Sequence, residues 1–515
     1  MSRTLGFRAR ALVLAFLACV FSLLTVGCIP KIYTFHPEEG QAGTTVVIRG
    51  ARFGETPADS TVKFAGVTVP ASDILSASTT QITARAPVGV RTGQISVTTT
   101  KGTGYSGTNF RVPGVAWTFM VYLDADNNLE GAGLDDFREM ASVGSSTAVN
   151  IVVQMDRCAG YTTADGNWTG TRRFLIQRGD TPSGAPLQDL GEQNMGDPRT
   201  LQGFVEWGVT TYPAQRYALV IWNHGGGWRV MMKRLEQKVR ALSSRGIQEW
   251  GISRAVASDE TDNDELYMFE VQTALETARA GLEARLNTVV KLDLLGFDAC
   301  LMGMVEVAYA VRNSANYVVG SEEVEPGDGW PYNTILADLS ANPAMTPGDL
   351  GGAIVARYGS SYGSGVTQAA VDVAALSGLT TAIDTFATKA AGEWDKLKAA
   401  RLGSRQYHYD NFSTTWGVDM WDFADRVSSQ VAAPDIRDAA SELRGAVDTF
   451  VVHEHHSPNM AGSHGIAIYF PPSSAVYQND PEHPGYEESN TFMPVAFVLH
   501  HQWDNWLQRF YANIP

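Results

Sequence analysis

Apolar and polar positions follow three different rhythms along the chain. Residues 11–24 form a nearly continuous apolar run of 14 residues behind Arg3, Arg8 and Arg10. The run is too short for a standard membrane-spanning helix and has the layout of a targeting segment. From Lys31 to Val112 short β-rich runs succeed one another at Thr45–Ile48, Thr61–Phe64, Gln81–Ala84 and Gln94–Val97. Gly, Pro, Asp and Ser separate them and no helical period intervenes, which predicts an antiparallel β-sandwich of about 80 residues. From residue 114 onward strand-like runs alternate with helical spacing. The strands are expected at Trp117–Leu123, Asn150–Met155, Tyr217–Trp222 and Leu292–Phe297, the helices at Glu270–Leu282 and Met304–Val311. This order predicts an α/β domain with a mostly parallel sheet flanked by helices on both faces. The expected division is a leader at 1–28, the sandwich at 29–113 and the α/β domain at 114–515.

Composition narrows the partners. Hydrophobic residues make up 44% of the 515 positions and charged residues 18%, a globular balance. The net charge of −16, without a long basic run after the leader, argues against nucleic acid as a partner. The four cysteines, Cys19, Cys28, Cys158 and Cys300, form neither a disulfide framework nor a CxxC metal pattern. Cys28 closes Leu24-Thr25-Val26-Gly27-Cys28, which resembles a bacterial lipobox, with Thr25 where that pattern prefers an aliphatic residue. The resemblance implies cleavage before Cys28 and lipidation of its thiol. The chain would then be exported and lipid-anchored to the bacterial cell envelope, at the outer membrane or facing the periplasm in a Gram-negative cell. Acyl chains supply an anchor of roughly 0.8 kcal/mol per buried methylene. No other segment reads as transmembrane.

Two of the expected strands end in chemistry. The run 217–222 leads into Asn223-His224-Gly225-Gly226-Gly227-Trp228, and 292–297 into Asp298-Ala299-Cys300-Leu301-Met302. Adjacent parallel strands would bring both loops to one edge, where sites form in such sheets. An imidazole there could take the thiol proton of Cys300. The glycines after His224 let backbone N–H groups approach a substrate carbonyl.

These motifs resemble the clostripain family of cysteine peptidases, in the caspase-like clan, over about 400 residues. Met120–Glu130, Ser321–Trp330 and Gly465–Pro471 fit as well, in the family's order. The sandwich segment resembles the immunoglobulin-like IPT/TIG domain through Pro37–Gly40, Gly43, Ile48–Gly50 with Phe53, Val62–Gly66, Ala86-Pro87 and Thr92-Gly93. Those positions specify fold, and a spacer role is expected. The family resemblance implies a His224–Cys300 dyad, oxyanion-hole amides at Gly225 and Cys300, and a thioester intermediate. It implies protein or peptide substrates cut after Arg or Lys, with Asp298 and Asp328 as acids of the basic pocket. Self-cleavage is expected within 229–258, at Lys238. The chemistry needs no cofactor. Calcium is known in some family members, and Asp259–Glu265 is dense in hard oxygen ligands; no ligands are assigned, and an acidic helix N-terminus would explain the same run.

Competing readings remain. His224–Gly227 with Gly359-Ser360-Ser361-Tyr362-Gly363 matches the motif pair of a serine esterase, although no strand is expected before Ser361. A non-catalytic binding protein on a peptidase-like fold is a third reading. Cys158 reads as an inert buried thiol, with a Cys158–Cys300 disulfide as its alternative. His453, His455, His456, His500 and His501 lack metal spacing and read as surface or packing histidines.

Overall fold

The computed structural model describes residues 29–87, 90, 93–112, 114–229, 256–286, 290–410, 414–480, 482–487 and 495–514. Cys28 and Lys238 lie outside these residues. Two compact units divide at Gly114 and Val115, with residues 211–213 grouped with the first.

The first unit is the expected sandwich. Strands β1 (Lys31–His36), β2 (Thr45–Ala51), β3 (Thr61–Phe64), β4 (Val67–Thr68), β5 (Ile74–Ala77), β6 (Gln81–Arg85), β7 (Gly93–Thr99) and β8 (Gly102–Phe110) form two four-stranded sheets. Their orders are β1-β2-β6-β5 and β4-β3-β7-β8, antiparallel throughout. Period-2 alternation places Val46, Ile48, Val62, Phe64, Ile82, Ile95 and Val97 in one buried core. Phe110 closes it edge-on against Phe64, their centroids 5.0 Å apart.

The second unit is built on a nine-stranded sheet. Its strands are β9 (Trp117–Ala125), β10 (Val149–Arg157), β11 (Gly170–Leu175), β12 (Gln188–Gly191), β13 (Arg216–Trp222), β16 (Leu292–Asp298), β17 (Ala315–Gly320), β18 (Thr367–Asp372) and β21 (Val451–His456). The order is β12-β11-β10-β9-β13-β16-β17-β18-β21. The central five strands, β10 to β17 in that order, are parallel, and the outer pairs on both sides are antiparallel. Strand β9 is buried at every position, as a strand covered on both faces must be. The small hairpin of β14 (Ala257–Asp259) and β15 (Asp264–Leu266) and a three-stranded sheet of β19 (Gln406–Asp410), β20 (Thr414–Asp419) and β22 (Ala467–Tyr469) complete the unit. Gly296, inside β16, makes room for an aromatic: a Cβ there would fall 2.6 Å from the Trp330 ring. Among the described residues, no helix is long and apolar enough to cross a membrane.

Candidate active site

Strands β13 and β16 are neighbours and parallel, with Trp222 opposite Asp298. The His224 and Cys300 loops therefore leave the same edge of the sheet. The ladder continues one step further, where Asn223 N donates to Asp298 O at 3.2 Å. Two residues on, Gly225 lies against the Cys300 peptide. A Cβ on Gly225 would stand 2.1 Å from Cys300 O and 2.6 Å from Cys300 N. Both obstacles are backbone, so only glycine fits. Among the described residues, neither the Gly225 nor the Cys300 amide donates a hydrogen bond. Leu301 follows with a left-handed φ of 64°, a strained conformation for a branched side chain and one that ends the turn after the thiol.

The side chains are held separately. Nε2 of His224 lies 2.7 Å from Asn128 Oδ1. A carboxamide oxygen has no proton to give, so Nε2 carries the proton and Nδ1 keeps its lone pair. Asn223 anchors the loop, its Nδ2 donating to Asp124 Oδ2 at 2.7 Å and Asp124 O at 2.8 Å. Burial pulls the imidazole down to about 4, so it is neutral at rest. The Cys300 Sγ accepts from Glu325 N at 3.2 Å. Burial pushes this thiol up to about 12, against the opposing pull of that N–H. The two side chains do not hydrogen-bond each other, and the resting pair is neutral.

Behind Cys300 lies a second cluster. Asp298 Oδ2 accepts from the Tyr332 hydroxyl at 2.8 Å and Trp330 N at 3.2 Å. Asp136 Oδ2 accepts from the Trp222 indole at 2.6 Å. Gly329, with a φ of 58°, sits between them: a Cβ there would lie 3.1 Å from Asp298 Oδ1 and 3.5 Å from Asp136 Oδ2. Glu325 Oε1 accepts from Gln368 Nε2 at 3.0 Å. Burial raises Asp298 to about 6, and burial with the neighbouring Asp298 charge raises Asp136 and Glu325 further. Asp298 is thus buried within this cluster, while Asp328 is exposed on the Pro326–Gly329 turn.

The other sequence candidates separate from this site. Asp259–Glu265 does not begin a helix. It forms the β14–β15 hairpin, whose three-residue strands are too short to leave a period, and the helix starts only at Met268. Of that run only Asp259 joins a carboxylate cluster, with Asp126, Asp156 and Glu192 from elsewhere in the chain. Ser361 is the last residue of the helix Pro347–Ser361, its hydroxyl bonded back to Arg357 O at 3.0 Å, so the esterase elbow is not built. Cys158 and Cys300 are both free thiols. His453 and His455 lie on edge strand β21, where their rings pack over Gly352 and Gly359. His456 pairs with Glu454 at 3.0 Å and His501 with Asp384 at 2.9 Å. Asn128 and Glu325 lie in the family-like runs Met120–Glu130 and Ser321–Trp330, where no role was assigned to them, and Asp136 lies in neither run. The partners of Asn128, Asp136 and Glu325 lie 96, 86 and 43 positions away.

Residues 121–509 match the Clostripain family and residues 30–112 the IPT/TIG domain. The chain belongs to the clostripain family. It is 27% identical to clostripain from Hathewaya histolytica over 417 residues, 70% of this chain and 75% of that protein. Among solved structures, it is similar to a secreted C11 cysteine protease from Bacteroides thetaiotaomicron bound to an irreversible peptide inhibitor. The TM-score is 0.51 at 19% identity, covering 78% of this chain and all of that one (100%). An inactive zymogen C11 protease from Parabacteroides distasonis superimposes with a TM-score of 0.51 at 18% identity, over 78% of this chain and 99% of its own. At these identities the structural likeness speaks for the fold.

Proposed function

We propose that this chain is a cysteine endopeptidase in which Cys300 is the nucleophile and His224 the general base and acid. The observation that carries the reading is Gly225 seated on the Cys300 peptide, which sets two undonated amides beside the thiol. With substrate bound, His224 Nδ1 takes the thiol proton as sulfur attacks the scissile carbonyl. The oxyanion is received by Gly225 N and Cys300 N. The imidazolium then protonates the leaving amine, and a thioester remains on Cys300. Water, deprotonated by the same imidazole, hydrolyses it. Because the thiol and imidazole are both neutral at rest, proton transfer accompanies attack and is not complete beforehand.

The carboxyl groups of Asp136, Asp298 and Glu325 close behind Cys300, with Asp328 exposed nearby, support a preference for Arg or Lys before the scissile bond. The same preference would allow the chain to cut itself within 229–258, and Lys238 is the proposed position. Lipidation at Cys28 would hold the enzyme at the cell envelope, with the sandwich as a spacer.

Matched fluorogenic peptides ending in Arg, Lys, Asp or Leu test this reading under reducing conditions, with the Cys300→Ala chain alongside. Cleavage after Arg and Lys that disappears in the variant is expected. Cleavage surviving in Cys300→Ala overturns the nucleophile, and cleavage after Asp or Leu overturns the pocket.

A further inference from the structure

The opposite edge of the nine-stranded sheet holds a cavity that the peptidase chemistry does not use. Its volume is about 760 Å³, and it lies where β16 and β17 begin and antiparallel β18 ends. His224 and Cys300 follow the other ends of their strands. Lys291 enters the lining from just before β16, Tyr317 from β17 and Asp372 from the end of β18. Tyr309 and Arg312 come from the end of the helix Val305–Ala310 and the turn after it, and His501 from just before the last helix.

The charges around this cavity do not balance. Among the described residues, neither Lys291 nor Arg312 forms an ion pair. The Arg312 guanidinium lies 3.9 Å from the Tyr309 ring centroid, and its Nη1 donates to Tyr309 O at 2.7 Å. The stack fixes the plane of the guanidinium fork, while Nε and Nη2 donate to no group among the described residues. Burial and the nearby Arg279 charge lower the pKa of Lys291, against the pull of Asp372. Arg279 is itself paired with Glu283 at 2.8 Å. The acids have other work. Asp372 Oδ1 accepts from Ala374 N at 2.9 Å and so caps the turn before the helix Leu376–Lys389, and Asp384 pairs with His501 at 2.9 Å. With His501 matched by Asp384, two cations face one carboxylate, which leaves a single positive charge unmatched. The Tyr317 ring adds an aromatic wall, resting on Gly348, where a Cβ would stand 3.4 Å from it. A cavity of this size with a few placed polar groups and an aromatic wall is suited to a small organic molecule.

We propose that this cavity binds a small organic acid, its carboxylate held by Lys291 and Arg312 and its apolar body lying along Tyr317. The free edge of the guanidinium fork suits the two oxygens of a carboxylate. A monocarboxylate matches the single unmatched charge, whereas a dianionic phosphate would bring one charge more than the site supplies and meet Asp372 at closer cost. The space exceeds that of a carboxylate alone, so the ligand has a body beyond its charged group. Binding does not depend on the peptidase reading, since none of these residues belongs to the His224 or Cys300 loops.

The test uses the full chain and three probes of one shape: benzoate, neutral benzamide and phenyl phosphate. Each is titrated while saturation transfer from the protein to its ring protons is followed by NMR. Saturable benzoate binding is expected, roughly tenfold or more tighter than that of benzamide and weakened by a similar factor in Arg312→Gln and in Lys291→Gln. Lys291 is only partly buried, so Lys291→Gln keeps the test valid if Arg312→Gln does not fold. Absence of saturable benzoate binding up to tens of millimolar overturns the proposal. Equal binding of benzoate and benzamide overturns recognition by charge, and wild-type affinity in Lys291→Gln overturns the site. Tighter binding of phenyl phosphate than of benzoate overturns the assignment to carboxylates.

Discussion

The two units bury polarity in opposite ways. In the sandwich, the buried polar side chains among the described residues are the hydroxyls Ser60, Ser96 and Ser106. At the edge of the nine-stranded sheet, Asp124, Asp126, Asp136, Asp156, Asp259 and Asp298 are all buried. Hydroxyls are satisfied locally, as when Ser106 Oγ donates to Thr108 O at 2.7 Å and accepts from Ile95 N at 2.9 Å. Buried carboxylates cost several kcal/mol each unless something meets them, so a fold does not accumulate them for stability. They gather near the ends of β9, β10, β14 and β16, with Asp136 from the helix Glu130–Val143, the pattern expected of a functional site. Substitutions should therefore act on turnover in one unit and on stability alone in the other.

The sharpest way to break that contrast is Gly225→Ala. Its Cβ meets the Cys300 backbone at 2.1 and 2.6 Å, so the two loops must part and the oxyanion amides with them. Turnover should fall by roughly two orders of magnitude or more, about 3 kcal/mol or above in the barrier, with KM little changed. Near-normal turnover would place the oxyanion donors elsewhere. Asn128→Ala should come next. It releases the Nε2 proton that fixes the His224 tautomer, and kcat should drop roughly tenfold or more. Asn128→Asp should restore part of the loss and alter the pH profile, which a merely structural residue would not do.

What could be read from sequence follows the same division. Strand runs such as Trp117–Leu123 and Tyr217–Trp222 were legible because burial on both faces leaves an unbroken apolar run. The His224 and Cys300 loops were legible because each follows such a run, and parallel neighbours share an edge. Asn128 was not, since its role exists only across 96 residues of intervening chain. The cluster of Asp126, Asp156, Glu192 and Asp259 was hidden for the same reason. The run Asp259–Glu265 drew attention by composition, yet only its first residue joins the cluster, because a tight hairpin turns the rest away.

Protonation offers a gentler probe. With the thiol near 12 and the imidazole near 4, no thiolate–imidazolium pair forms in the resting protein. Alkylation of Cys300 by iodoacetamide should rise about tenfold per pH unit from pH 7 to 9. A plateau already present at pH 6 would show a preformed ion pair. For an Arg peptide, kcat/KM should fall as pH drops below about 6, where Asp298 takes a proton and loses its charge. In Asp298→Asn that limb should vanish, leaving the limb of His224 near 4. The stability linkage of His224 has the opposite sense from that of Asp298. Between about 4 and the unperturbed 6.5 the unfolded chain takes a proton that the folded imidazole refuses, so this contribution falls as pH drops through that window. The raised Asp298 instead contributes stability that is full below 3.8 and lost as pH rises through about 6.

The smallest effect on turnover should come from the sandwich core. Ile48→Ala removes a fully buried side chain between the two sheets and leaves a cavity. The loss should be about 2–5 kcal/mol for that unit. Because the sandwich buries no carboxylate among the described residues and contributes no group to the proposed dyad, kcat and KM should stay at wild-type values below its melting temperature. Calorimetry should then show an early transition for the sandwich and an unmoved one for the peptidase unit. A fall in turnover at temperatures where the sandwich is folded would mean that the first unit takes part in catalysis, and the spacer reading would fail.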